Sequence, residues 1–184
     1  MSKNTITTSV VSMMLVAIYG TTPAYANDHN HREHDSHEHG VAQLNIAQEG
    51  NTLHMELESP AMNIVGFEHM PRNGAQHAAV EHAVAELKKG DELFRFSAAA
   101  NCKLMEARVE SGLLDKEHKA GAEDNHADFD VSYLFSCSQP DLLHSLTVGL
   151  FKLFPATEEL EVQLISDRGQ KRTHLTPSNP HLKF

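Results

Sequence analysis

Residues 41–58, VAQLNIAQEGNTLHMELE, decide how this chain folds. Val41, Leu44 and Ile46 begin an apolar pattern compatible with a strand, and Glu49-Gly50-Asn51 is a turn signal. Leu53, Met55 and Leu57 then alternate with His54, Glu56 and Glu58, the period of two that marks a half-buried strand. The stretch predicts a β-hairpin. Pro60 ends it, because proline brings no N–H to a ladder.

Toward the C-terminus, residues 75–89 predict an amphipathic helix. Val80, Ala83, Val84 and Leu87 fall at i, i+3, i+4 and i+7, Asn73 is placed to cap the start, Lys88 and Lys89 suit the C-terminal dipole, and Gly90 follows as a stop. Leu93 to Phe96 and Lys103 to Val109 predict strands around a loop carrying Cys102, and Phe129 to Cys137 is rich in strand formers. Residues 115–128 are polar, lack periodicity and read as a surface loop. Leu142 to Phe154 fits either a buried helix, over about 141–154, or a strand running into a turn at Pro155. Glu161 to Ile165 and Lys171 to Leu175, around Asp167-Arg168-Gly169, predict a closing hairpin. Strands outnumber helices and follow one another as hairpins. The expected class is α+β, a mainly antiparallel sheet within one domain over 41–184.

Toward the N-terminus, the chain opens like an export signal. Lys3 gives a positive n-region, Val10 to Tyr19 an apolar stretch, and Ala24-Tyr25-Ala26 a small-x-small cleavage pattern. That apolar stretch is shorter than the roughly 20 residues of a membrane span. Residues 1–26 are therefore read as a leader, with Asn27 as the mature N-terminus and no membrane insertion after cleavage. The formal charge of −10, with 25 acidic against 15 basic residues, excludes a nucleic-acid partner, whose phosphates demand Lys and Arg.

Between leader and hairpin, residues 27–40 read NDHNHREHDSHEHG. Five histidines, His29, His31, His34, His37 and His39, alternate with Asp28, Glu33, Asp35 and Glu38. Neutral imidazole binds zinc, copper and nickel, so the segment reads as a flexible multidentate site for a divalent metal, and ligand type alone does not name that metal. If cleavage leaves Asn27 first, its amine, two backbone amides and the imidazole of His29 make a four-nitrogen set for Cu(II) or Ni(II) at Asn27-Asp28-His29. His118 and His126, in the acidic loop, are candidate secondary ligands or part of a solvated charged loop. His54 and His82 read as surface residues and His77 as packed in its helix. His69, His144, His174 and His181 are isolated. The two cysteines, Cys102 and Cys137, point in an exported protein to a disulfide closing a loop of about 35 residues, a cross-link worth roughly 3–4 kcal/mol, with a pair of thiolate metal ligands as the rival reading that the absence of a CxxC disfavours. No HExxH, GxSxG or phosphate-cradling glycine loop is present, so an enzyme is not expected.

Three strings then point to a family: His37-Glu38-His39-Gly40-Val41-Ala42-Gln43-Leu44, Glu58-Ser59-Pro60-Ala61 followed by Gly66-Phe67-Glu68-His69, and Leu150-Phe151-Lys152-Leu153-Phe154-Pro155. With the leader and two cysteines, they resemble the ZrgA-type periplasmic zinc-uptake proteins of gamma-proteobacteria. The resemblance implies a periplasmic zinc-binding accessory protein that supports a high-affinity zinc ABC importer, directly or through another periplasmic zinc-binding protein. It implies metal binding by a histidine- and acid-rich segment, here His29 to His39. Family members often carry a longer histidine-rich insertion in mid-chain; residues 115–128 are short and hold two histidines, which shifts the weight to the N-terminal tract. The alternatives are a periplasmic buffer or sequestrant for zinc, copper or nickel, and an interaction domain with a histidine pH switch.

Overall fold

The computed structural model describes residues 38–114 and 127–184. The leader over 1–26, Asn27, Asp28, His29, His31, His34, His37 and the loop histidines His118 and His126 lie outside the described residues. The opening hairpin forms as its alternation requires. Strand β1 (Val41–Glu49) pairs antiparallel with β2 (Thr52–Pro60), with Leu44 opposite Leu57 and Ile46 opposite Met55. Gly50 takes φ +57°, the positive value expected at the first position of a two-residue hairpin loop. One helical turn, α1 (Ala61–Val65), follows directly, and then the long helix α2 (Gly74–Leu87). Asn73 caps α2 as its position predicts: its Oδ1 accepts the Gln76 N–H at 2.9 Å.

A short turn, α3 (Gly90–Leu93), leads into β3 (Phe94–Phe96), and β4 (Cys102–Ser111) then runs beside β5 (Asp128–Cys137). The rest of the chain supplies β6 (Ser145–Val148), α4 (Leu150–Leu153), β7 (Glu159–Ser166), β8 (Gly169–Leu175) and β9 (His181–Lys183). Six strands make one sheet in the order β4-β5-β2-β1-β7-β8, and β3-β6-β9 make a second. The class is α+β, as expected. All pairs are antiparallel except β1 with β7, which run parallel.

The inward face of the large sheet carries Leu44, Ile46, Leu53, Met55, Leu57, Phe129, Val131, Phe135, Leu160, Val162 and Leu164, all buried. They share one core with Val80, Ala83 and Leu87 of α2, Phe94 of β3, Leu146 and Val148 of β6, and Leu182 of β9. Tyr133 ties the sheet to α2: its hydroxyl donates to the Leu87 carbonyl at 2.7 Å, and its ring meets Phe94 edge to face. Burying such side chains contributes about 1.5–3 kcal/mol each before entropy is counted. The outward face is mainly polar, with Ile165 of β7 exposed among its charged and amide residues, and the candidate site lies there.

The ambiguous segment 141–154 is not one helix. It divides at Gly149 into β6 and the single turn α4. The reason is steric: the Gly149 N–H donates to the Leu93 carbonyl at 2.7 Å, and a Cβ there would stand 2.8 Å from the Glu92 carbonyl oxygen. That contact fixes where the chain leaves β6, whose edges are already paired with β3 and β9. Cys102 likewise sits in β4 rather than in a loop, directly opposite Cys137 of β5, and the two form a disulfide.

Candidate metal centre

Strand β7 reads ELEVQLIS. Its period of two buries Leu160, Val162 and Leu164 and turns Glu159, Glu161 and Gln163 outward. β8 folds back through a two-residue loop that sets Ser166 opposite Gly169, and the same register sets Leu160 opposite Leu175 and Glu161 opposite His174. His174 therefore faces outward beside Glu161, with Glu159 at the diagonal. Its Nδ1–H donates to Glu159 Oε1 at 2.5 Å. One donor atom from each of Glu159, Glu161 and His174 lies within 4.8 Å of the others. The side chains of His174 and Glu159 are 60% and 38% exposed. The hydrogen bond that His174 donates to Glu159 outweighs desolvation and, with the charges of Glu159 and Glu161 adding to it, holds the His174 pKa above the ordinary imidazole value.

The electrostatic setting is acidic. Register runs one row across all six strands of the outward face: Glu110, Asp130, Glu58, Gln43, Glu161 and His174. Like charges set opposite one another oppose folding slightly and draw cations to the face.

Of the sequence-predicted ligands, His39 lies among the described residues. Its Nε2 is 3.0 Å from Glu68 Oε1. The residue after it is firmly held. Gly40 N–H donates to the buried Asn63 Oδ1 at 2.7 Å, and Gly40 O accepts from the N–H groups of Glu158 and Glu159 at 2.7 and 3.0 Å. The end of the histidine tract thus enters the sheet beside Glu159, which pairs with Val41.

His54 and His82 are exposed, as expected, and His82 lies 3.8 Å from Glu86. His77 is exposed rather than packed, because the first turn of α2 sits mostly in solvent and its buried positions begin at Val80. His69 stacks on Phe67, and His181 bonds Thr147 at 3.1 Å.

A family model described as ZrgA family zinc uptake protein matches residues 36–184. The chain belongs to the ZrgA family. A search of the curated proteins finds no match. The ZrgA match begins at Ser36 and so takes in His37 and His39 with the whole described fold. A zinc-uptake role gives the outward face of this ZrgA sheet a chemical reading, since imidazole and carboxylate together suit zinc. Glu159, Glu161 and His174 form a group that sequence reasoning missed, because His174 is isolated along the chain. The signal was nonetheless present. Counting outward from the Asp167-Arg168 loop sets Glu161 against His174, and the alternation of β7 brings Glu159 to the same face.

Proposed function

We propose that this chain is a periplasmic zinc-binding accessory protein. A cleaved leader over 1–26 exports it, His29, His31, His34, His37 and His39 capture Zn(II), and the folded part over 41–184 presents that segment to a zinc ABC importer or another periplasmic zinc-binding protein. His118 and His126 add donors from the loop between β4 and β5. The role is binding and transfer, not catalysis. Membership of a zinc-uptake family favours zinc over copper and nickel as cargo, although the Asn27-Asp28-His29 terminus, once freed, would also accept Cu(II) or Ni(II).

The observation that carries this reading is how the tract joins the sheet. Asn63 and the Glu158–Glu159 backbone hold Gly40, the residue that follows the tract, by three hydrogen bonds, which supports a fixed anchor at the start of β1. Calorimetry tests it with two full mature chains, one unaltered and one with all five tract histidines replaced by alanine. The altered chain is expected to bind fewer zinc ions and to lose the tightest class. Equal stoichiometry and affinity in both would show that the tract is not the capture site. Because ligation needs neutral imidazole, affinity should fall as pH drops through about 6.5. Induction by zinc starvation supports uptake, whereas induction by metal excess would favour sequestration.

A further inference from the structure

We propose that Glu159, Glu161 and His174 form a second Zn(II) site, built into the folded sheet and independent of the tract's histidines. This rests on the reading that the cargo is zinc. It adds a place where the ion can sit on the folded part of the chain.

A tetrahedral zinc with bonds of about 2.0–2.1 Å holds its donors about 3.4 Å apart. Donor atoms already within 4.8 Å need close by little more than about 1 Å, a movement that glutamate rotamers supply. The bases of these side chains do not need to move. β7 is hydrogen-bonded on both edges, to β1 and to β8, so the three Cα positions are fixed by the ladder and by the buried residues Leu160, Val162 and Leu175.

The charges point the same way. One carboxylate is enough to pair with His174, and Glu159 already does so. Glu161 brings a second negative charge to the same place, where it repels Glu159. A divalent cation offsets both at once. On binding, zinc takes the place of the proton shared by His174 Nδ1 and Glu159, and that proton leaves to solvent.

Among the described residues, the other histidine–carboxylate contacts are poorer sites. His39 meets Glu68 and no second carboxylate among the described residues, and the Glu86 beside His82 is already held by the Lys89 ammonium at 2.7 Å. Three donors leave the fourth position of a tetrahedral zinc open toward solvent, where an incoming ligand can deliver or remove the ion. Gly40, which follows the tract, accepts the Glu159 N–H, so the chain enters β1 next to the strand that carries Glu159 and Glu161.

The test uses the full mature chain with the five tract histidines replaced by alanine, titrated with Zn(II) alone and followed through the imidazole Cε1–H resonances. The His174 resonance should shift or broaden with the first equivalent, while that of His54, out in the sheet, stays put. Glu161→Gln and Glu159→Gln preserve shape and should each weaken this binding about tenfold or more, and His174→Ala should abolish it. An unperturbed His174 resonance, or unchanged affinity in Glu161→Gln with circular dichroism intact, would overturn the inference. The tract reading fails by a different result. If replacing the five histidines leaves zinc binding unaltered, the tract is not the capture site, and the His174 outcome still stands or falls alone.

Discussion

At residue scale, His174 and Asn63 carry the most specific consequences. The Glu159 carboxylate favours the protonated form of His174 and raises its pKa. A group whose pKa is raised on folding contributes stability that is fully present below its unfolded value, about 6.5, and lost as pH rises through the folded value. Exposure and screening keep that contribution small, so the midpoint itself is the better readout. In the metal-free protein an NMR titration should place the His174 midpoint above 6.5, and Glu159→Gln should bring it back toward that value. Asn63 is 3% exposed and serves three partners: its Oδ1 accepts from Gly40 N–H, and its Nδ2 donates to Val41 O at 2.9 Å and to Ser59 Oγ at 3.4 Å. Asn63→Ala leaves those buried groups unpaired, a loss of about 1–3 kcal/mol. A lowered urea midpoint with an unchanged slope is the expected signature.

At the scale of elements, the β1–β2 and β7–β8 hairpins were legible because their evidence is local. Leu53, Met55 and Leu57 alternate with polar residues, and Gly50 and Gly169 mark the reversals, with φ +57° and +121°. The parallel pairing of β1 with β7 left no such mark. Val41 and Glu159 are brought together by the intervening fold, and no turn between them encodes direction or register. Segment 141–154 was legible only as apolar. Its division depends on Gly149 meeting the Glu92 and Leu93 carbonyls, contacts invisible in a one-dimensional pattern. Gly149→Ala should therefore destabilise the protein by about 1–3 kcal/mol through overpacking, seen as a lower thermal midpoint. The candidate site divides the same way. The tract's histidines declare themselves by composition, whereas Glu159, Glu161 and His174 become a group only when the β7–β8 register is folded up.

For the whole molecule, the Cys102–Cys137 bridge ties β4, an edge strand, to β5 across a sequence separation of 35 residues. Replacing both cysteines with serine should cost about 2–4 kcal/mol and lower the thermal midpoint by several degrees, with β4 the first strand to gain hydrogen exchange. The fold has a polar, acidic outward face and no helix among the described residues long and apolar enough to cross a membrane. On the proposed reading, a histidine tract that leads into β1 and three donors grouped on that outward face both serve to gather a cation. Native mass spectrometry of the protein, purified without a metal-affinity step from the cells that make it, tests this most directly. The account predicts a chain beginning at Asn27 that carries zinc. A chain carrying copper or nickel, or one that stays metal-free when zinc is supplied, would contradict it.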